Sequence, residues 1–140
     1  MNILKLIETL QPKQNDIVVF DIDDTMFDPT TGIENQVVIQ FYKYLIDNHI
    51  NAAIITARED TVINRQLTEE ELHFHGITNW NCLLMRHPEE FDLYTYKRDM
   101  RKWIHDNGYN VIISIGDKSW DVGEYGGIGI IVGKFTSSNL

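Results

Sequence analysis

Five short runs of apolar residues recur along the chain, with helical or turn-rich segments between them. These runs lie at residues 17–20, 52–55, 82–85, 111–115 and 128–132. Continuous apolar runs of this length form strands that are buried on both faces of a sheet. Because strands that alternate with helices pair in parallel, the pattern predicts an α/β fold with three layers, a central parallel sheet and helices on both of its faces.

Helices are predicted where apolar residues recur at helical spacing or where a helix-start signal is present. The opening residues are predicted to form a short amphipathic helix that ends before Pro12, because proline is not accommodated inside a helix. Thr68 and Glu71 have the spacing of a capping box, which predicts the start of a helix that ends near Gly76. The predicted helices cover residues 1–10, 37–48, 68–76 and 96–107.

The length of 140 residues suits one domain, and no repeat or linker divides it, so we predict a single domain over residues 1–140 with a core at about 15–134. The net charge of −9, from 21 acidic and 12 basic residues, disfavours broad nonspecific binding to nucleic acid. Cys82 is the one cysteine, which excludes an internal disulfide. No signal peptide and no apolar run of roughly 20 residues is present, so we expect a cytoplasmic protein without a membrane span.

Acidic residues follow the first predicted strand directly, where residues 21–25 read Asp-Ile-Asp-Asp-Thr. In parallel sheets the ligand lies beyond the carboxyl ends of the strands. Asp21, at the strand end, is a candidate nucleophile that would form an aspartyl-phosphate. Asp23 lies on the same side of an extended chain and is a candidate general acid and base. Asp21 and Asp117, which follows the fourth strand, offer the hard oxygen ligands that Mg²⁺ prefers.

Two further residues complete a set that is suited to phosphoryl transfer. Thr56 ends the second predicted strand, and its hydroxyl, with the loop amides, is a candidate to hold phosphate oxygens. Lys97 is predicted to begin a helix and to supply a fixed positive charge. An acidic loop alone is as consistent with an ordinary solvated surface, but Thr56, Lys97 and Asp117 at their structural positions favour chemistry on phosphate.

This set of residues resembles the haloacid dehalogenase (HAD)-like phosphatase superfamily. Residues 21–25 match the family's Asp-x-Asp-x-Thr loop. Thr56 matches the second motif and Lys97 the third. Asp117 and Asp121 match the paired acids of the fourth motif, and the resemblance covers nearly the whole chain.

The resemblance implies a Rossmann-like fold and a phosphoric monoester hydrolase that acts on a phosphorylated substrate. It implies that Asp21 is the nucleophile and Asp23 the general acid and base. It also implies Mg²⁺ bound by Asp21, the backbone carbonyl of Asp23 and Asp117. Asp121 is placed at the edge of the metal, as a ligand through water or as a support.

The intervals between the motifs resemble those of the capless subgroup of this superfamily. Residues 26–50 have room for a hairpin flap and one helix, and residues 58–96 for one or two short helices and a core strand, but neither has room for a cap domain. The subgroup's open sites admit bulky phosphorylated substrates. Asp24 and the Thr-Ala-Arg sequence at 56–58 are similar to small acid phosphatases and polynucleotide kinase phosphatase domains, although those relatives usually have glycine where this chain has Ala57.

We predict a substrate-binding surface that contains Asp24, Thr25, Ala57 and Arg58. Two of these have equally plain alternatives, since Asp24 is also suited to shaping the loop and Arg58 to a structural role. Arg101 lies four residues after Lys97, on the same helix face, and a substrate contact is one alternative for it.

The remaining polar and aromatic residues are interpreted as parts of the fold. The alternate spacing of His73 and His75 does not place both on one helix face, so these histidines and His87 are predicted to be exposed rather than to form a metal cluster. Cys82 is predicted to be a small buried residue. The aromatic residues predicted to pack in the core or at its rim are Trp80, Tyr94, Tyr96 and Trp103, with Trp120 and Phe27 either packed or at a substrate entrance.

Other functions remain open within and outside this class. A nucleotide phosphatase or a nucleic-acid 3′-phosphatase would use the same fold and the same residues. A receiver domain of a signalling relay also has a phosphorylated aspartate and a lysine, but its residue order differs from the order here. An inactive relative that binds phosphate is the third alternative, against which the complete set of motif residues argues.

Overall fold

The computed structural model describes residues 2–135, so Met1 and the last five residues of the predicted domain lie outside the described chain. All five predicted strands are confirmed, and the predicted α/β fold is confirmed with them. The elements in order are α1 (Ile3–Leu10), β1 (Asp16–Phe20), α2 (Gln36–Asp47), β2 (Asn51–Glu59), α3 (Val62–Phe74), β3 (Cys82–Arg86), α4 (Leu93–Asp106), β4 (Asn110–Gly116), a 3₁₀ turn (Ser119–Asp121) and β5 (Ile128–Ile131).

The five strands form one sheet in the order β3-β2-β1-β4-β5, and every neighbouring pair is parallel. Alternate residues of β1 enter two separate cores because successive side chains of a strand point to opposite faces. Val18 and Phe20 pack with α1, α2 and α3, whereas Ile17 and Val19 pack with α4. The molecule therefore has three layers, with helices on both faces of the sheet as predicted.

The order in which strands are added to the sheet reverses at β1, because β2 and β3 lie on one side of β1 and β4 and β5 on the other. Phe20 pairs with Ile54 of β2 on one side and with Ile115 of β4 on the other. The Asp21 amide donates to the Ile115 carbonyl at 3.0 Å, which extends the pairing by one residue. In open parallel sheets such a reversal opens a crevice at the carboxyl ends of the two strands, where ligands bind.

The segment between β1 and α2 is a short hairpin flap, as predicted. Phe27 and Glu34 form an antiparallel bridge, and the Asn35 amide donates to the Met26 carbonyl at 2.8 Å. The segment between β2 and α4 contains α3 and β3 and has no room for a cap domain. Within residues 2–135, no helix has the length and apolar character needed to cross a membrane.

The predicted start of α3 at Thr68 was wrong. The helix begins at Val62, and the side chain of Thr61 caps it by accepting from the Asn64 amide at 3.1 Å. Val62 and Ile63 at its start are 87% and 70% exposed, so the first turn shows no buried apolar face from which the helix could be inferred. Thr68 lies inside the helix and is buried.

The prediction that Lys97 begins its helix was wrong, because Lys97 lies in the second turn of α4. The helix starts at Leu93, after the side chain of Asp92 has accepted from the Thr95 amide at 3.2 Å. This capping contact extends the helix by one turn ahead of the apolar residues on which the prediction depended. Lys97 therefore points from the body of the helix rather than from its end.

The prediction that the three histidines are exposed was wrong for His75, which is 6% exposed, and correct for His73 and His87. His75 Nδ1 lies 2.6 Å from Glu34 Oε2 in the flap, so a polar partner accounts for its burial. Its ring stacks on Phe27 with 4.1 Å between the ring centroids. Phe27 is fully buried and therefore packs in the core rather than lining an entrance.

Candidate active site

The loop at residues 21–25 follows the carboxyl end of β1 and contains a turn. Asp21 is 8% exposed, and its Oδ2 accepts a hydrogen bond from the Thr25 hydroxyl at 2.9 Å. The same hydroxyl lies 3.3 Å from Asp117 Oδ1 at the end of β4, so Thr25 links the two carboxylates. Burial raises the pKa of Asp21 to about 6, Lys97 opposes the rise, and the nearby Asp117 adds to it.

Lys97 is the cation of the site and is only 2% exposed. Its ammonium group donates to Asp21 Oδ1 at 3.0 Å, to Asp121 Oδ1 at 2.6 Å and to the Ile55 carbonyl at 2.8 Å. These three acceptors use all three donors of the ammonium group. Burial alone would lower the pKa of Lys97, but the charges of Asp21 and Asp121 outweigh burial and raise it. Lys97 therefore stays charged.

Asp121 lies in the 3₁₀ turn after β4 and is buried. One of its oxygens accepts from Lys97, and the other accepts from the Lys118 amide at 3.0 Å. Burial and the charge of Asp21 raise the pKa of Asp121. Asp121 is only 4% exposed, and its carboxylate is held by Lys97 and by the backbone of its own turn, which suits a support for Lys97.

The carboxylates of Asp21, Asp117 and Asp121 each place one oxygen within 4.8 Å of the others. Hard carboxylate oxygens in this arrangement suit a divalent cation that keeps part of its water shell, as Mg²⁺ does. The side chain of Asp117 is 14% exposed and faces the open cleft, so it offers a ligand from the solvent side. The donor set therefore fits a Mg²⁺ ion, held mainly by Asp21 and Asp117.

Asp23 is held by Arg58, which ends the sequence Thr-Ala-Arg at the carboxyl end of β2. Arg58 donates from Nε to Asp23 Oδ2 at 3.0 Å and from Nη2 to Asp23 Oδ1 at 2.6 Å. The Nη2 group also donates to Glu71 Oε1 of α3 at 2.6 Å, and Nη1 donates to the Thr68 hydroxyl at 3.3 Å. The guanidinium group therefore has a partner on α3 that is independent of Asp23.

The other predicted site residues lie around this centre. The Thr56 hydroxyl is buried and accepts from the Arg58 amide at 3.1 Å, so its own proton can point into the site. Ala57 is partly buried, and its carbonyl accepts from Arg86 at 2.9 Å. Asp24 is exposed and has a φ of 59°, a left-handed conformation at the tip of the loop.

An open cleft of about 560 Å³ begins at Asp117 and runs between the flap and the segment after β5. Its walls are formed by Asp24, Asp28, Asp117, Lys118 and residues 132–135, which include Lys134 and Phe135. A leaving group attached to a phosphate near Asp21 and Asp117 has room to lie in this cleft. The volume is that of a typical small-molecule site.

Glu71 and Thr68 are parts of the site that the sequence did not reveal. Their spacing had been interpreted as a helix start, whereas both side chains face Arg58. Arg101, for which a substrate contact had been one alternative, donates instead to three backbone carbonyls of the loop after β4. No sequence signal distinguishes these roles, since they depend on which elements lie side by side.

The model of the family described as HAD superfamily, subfamily IIIB (acid phosphatase), matches residues 30–132 of the chain. This stretch contains Thr56, Lys97, Asp117 and Asp121, whereas the loop at residues 21–25 precedes it. A search of curated proteins gave no match.

Solved structures with the same fold include a chain of a multiprotein complex and an acid phosphatase. A chain of the Pnkp1/Rnl/Hen1 complex superposes with a TM-score of 0.71 at 20% identity, over 84% of this chain and 46% of that one. The class C acid phosphatase from Bacillus anthracis superposes with a TM-score of 0.62 at 16% identity, over 84% of this chain and 58% of that one. The chain thus spans about half the length of these neighbours.

The family match and the fold confirm the resemblance that the motifs indicated, including the capless architecture. The family is one of phosphoric monoester hydrolases. The chain belongs to the acid phosphatase family of HAD superfamily subfamily IIIB.

Proposed function

We propose that the protein is a Mg²⁺-dependent phosphomonoester hydrolase that acts through an aspartyl-phosphate on Asp21. The observation that carries this proposal is the position of the Asp21 carboxylate, which lies at the β1–β4 crevice between the Lys97 ammonium group and the Thr25 hydroxyl. A nucleophile needs to be fixed in direction, which both donors do, and kept ionised, which the charge of Lys97 favours against the opposing effect of burial on the pKa of Asp21.

In the first step an Asp21 oxygen attacks phosphorus, and the bond from phosphorus to the leaving oxygen breaks. Asp23 gives its proton to that leaving oxygen. In the second step water attacks the aspartyl-phosphate, Asp23 takes the proton of the water, and the bond from phosphorus to Asp21 breaks. Inorganic phosphate leaves, and both carboxyl groups return to their starting states.

The other residues of the site bind and orient the phosphate. Thr56 is a hydroxyl donor to a phosphate oxygen, and Lys97 stabilises the negative charge that spreads over the transferring group. Mg²⁺, held by Asp21, the Asp23 backbone carbonyl and Asp117, would neutralise phosphate charge. Asp121 supports Lys97 through the 2.6 Å contact between their charged groups.

The test is the release of phosphate from an aryl phosphate with Mg²⁺ present and with Mg²⁺ removed by chelation. We expect release only with Mg²⁺, and we expect Asp21→Asn to abolish it. Asp47→Asn, an exposed aspartate at the end of α2, is the matched control and should retain wild-type activity. Full activity in Asp21→Asn would refute the nucleophile assignment, and full activity under chelation would refute the metal dependence. A wild-type protein that releases no phosphate from any ester would support the alternative of an inactive relative.

A second candidate is hydrolysis of a nucleotide or a nucleic-acid 3′-phosphate within the same chemistry. The cleft beside Asp117 favours it, because Phe135 on its walls suits a flat ring, and Lys118 and Lys134 place positive charges there beside Asp24, Asp28 and Asp117. A chain of the Pnkp1/Rnl/Hen1 RNA repair complex has the same fold as this protein, which is consistent with a nucleic-acid substrate. A 3′-phosphorylated oligonucleotide tested beside an aryl phosphate decides it, since equal or slower turnover of the oligonucleotide contradicts this candidate.

A further inference from the structure

The loop between β4 and β5 carries Asp117 and Asp121 but has little regular structure of its own. After the 3₁₀ turn, three of its residues adopt left-handed backbone conformations, with φ of 117° at Gly123, 61° at Tyr125 and 63° at Gly127. Repeated changes of backbone direction prevent the loop from continuing either a helix or a strand. The loop makes a few hydrogen bonds within itself, such as that from the Gly126 amide to the Gly123 carbonyl at 2.9 Å, and side chains from other elements add to them.

Arg101 of α4 is the side chain that makes the most contacts of this kind. Its Nε donates to the Glu124 carbonyl at 2.8 Å, Nη1 to the Trp120 carbonyl at 2.9 Å and Nη2 to the Val122 carbonyl at 3.2 Å. All three nitrogens of one rigid guanidinium group are thus committed to a single loop. The residue is 3% exposed, so these bonds form away from competing water.

The burial of Arg101 is costly in a way that a purely apolar residue would avoid. Burial lowers the pKa of Arg101, because the charged form loses hydration that carbonyl dipoles only partly replace. Its hydrogen-bonding partners are neutral carbonyls rather than a carboxylate. A position that needed only packing would be filled at lower cost by methionine or leucine, so the directional bonds are the property that matters here.

Arg101 and Lys97 hold the same loop from the same face of α4, four residues apart. Lys97 binds the side chain of Asp121, while Arg101 binds the carbonyls of Trp120 and Val122, the residues on either side of Asp121. Gly116, which precedes Asp117, packs so closely that an added Cβ would lie 2.1 Å from Asp121 Cβ. A small shift of the loop would therefore change the position of Asp121, Lys97 and Asp117 together.

We propose that Arg101 is a positioning residue that fixes the loop carrying Asp117 and Asp121 in its metal-binding geometry and thereby sets the affinity of the site for Mg²⁺. The proposal rests on the proposed metal site. It assigns Arg101 no contact with substrate. Groups that orient metal ligands from outside the ligand set typically change metal affinity by about 10- to 100-fold when they are removed.

Calorimetric titration of the full chain with Mg²⁺ tests this, with the melting temperature of each variant measured separately. Arg101→Met keeps the length of the side chain and removes its donors, and we expect it to weaken Mg²⁺ binding by at least about tenfold. Arg101→Lys keeps the charge but can reach fewer carbonyls, so we expect an intermediate affinity. Arg98→Met is the matched control, because Arg98 lies on the same helix, is 43% exposed in its side chain and pairs with its neighbour Asp99.

The outcomes separate the two proposals. Wild-type Mg²⁺ affinity in a folded Arg101→Met variant overturns the positioning role and leaves a purely structural one. If Arg101→Met does not fold, Arg101→Lys decides, and wild-type affinity in that variant overturns the role equally. A wild-type protein that binds no Mg²⁺ contradicts the proposed metal site itself, and Asp117→Asn, which should abolish the binding, shows that the titration reports that site.

Discussion

The Lys97 ammonium group lies 2.6 Å from Asp121 Oδ1, closer than its 3.0 Å distance from Asp21. Lys97, which contacts the candidate nucleophile Asp21, is thus also bound by the buried carboxylate of Asp121. The two oxygens of Asp121 accept from Lys97 and from the Lys118 amide. The two oxygens of Asp21 accept from Lys97 and from the Thr25 hydroxyl. The two acids of the fourth motif therefore have different positions, since Asp117 faces the cleft and Asp121 binds the ammonium group of Lys97.

Lys97→Met is expected to lower turnover by more than about tenfold, because it removes the charge that stabilises the transferring phosphate. It should also destabilise the fold by about 3–5 kcal/mol, since two buried carboxylates lose their counter-charge. Lys102→Met is the control, because Lys102 on the same helix forms an exposed pair with Asp106. Phosphate release and urea unfolding are the measurements.

A double variant separates the two effects of losing Lys97. Lys97→Met with Asp121→Asn removes one of the stranded charges and should recover part of the lost free energy of unfolding. It should recover none of the lost turnover. A double variant that regained activity along with stability would show that Lys97 acts on the fold alone.

Gly116→Ala is expected to displace Asp121 and to lower both stability and activity. An added Cβ would lie 2.1 Å from Asp121 Cβ and 2.2 Å from Asp121 Oδ2, distances at which the carboxylate must move away from Lys97. Crowding of this kind costs about 1–3 kcal/mol. Gly133→Ala is the stability control, because its Cβ would meet no atom within 4 Å. Thermal unfolding of the two variants checks this, and equal melting temperatures would contradict it.

Arg58→Lys is expected to lower kcat by about tenfold or more, although the charge is retained. A lysine cannot donate to both oxygens of Asp23 and to Glu71 at once, so the candidate acid loses its fixed orientation. Arg65→Lys is the matched control, since Arg65 contacts Asp60 through two nitrogens at the surface. Steady-state kinetics on an aryl phosphate measures both, and an unchanged kcat in Arg58→Lys would remove Arg58 from the site.

The sequence predicted the sheet and the ends of its strands because those features depend on local pattern. Buried parallel strands are apolar throughout, so each is visible as a run, and the residue after each run lies at the same edge of the sheet. Asp21 and Asp117 follow the ends of their strands as predicted, whereas β2 does not end at Thr56 but continues to Glu59, with a shift in its pairing to β3 after Ile55. Thr56 still lies at the same edge of the sheet as the two aspartates, because Phe20 pairs with both Ile54 and Ile115. Their chemical roles remain predictions.

The partners of these residues were not predictable, because they come from distant parts of the chain. Arg58 and Glu71 meet across 13 residues, and Arg101 reaches Glu124 across 23. Which helix faces which loop is decided by packing, not by local spacing. The Thr68–Glu71 pair shows the difficulty, since its spacing fits a helix start while its side chains serve Arg58.

Cys82 provides a prediction about the fold that is independent of the active site. The thiol lies in β3 beside a groove of about 180 Å³, and burial raises its pKa to about 11 from a reference value of 9.0. The higher pKa leaves about a hundredfold less thiolate at pH 7.5, so alkylation by iodoacetamide should be slower than in the urea-unfolded chain. Since this is the one cysteine in the sequence, mass spectrometry follows a single reaction.

The pH dependence distinguishes a raised pKa from simple shielding of Cys82. Shielding would slow alkylation by the same factor at every pH, whereas a raised pKa moves the rise in rate to higher pH. In the native protein the rate should therefore still be climbing above pH 9, where the unfolded chain has begun to level off. By linkage, the protonated thiol stabilises the fold fully below the unfolded pKa near 9, and this contribution is lost as the pH rises through about 11. A native rate that levels off at the same pH as the unfolded rate would contradict the raised pKa and leave shielding as the cause.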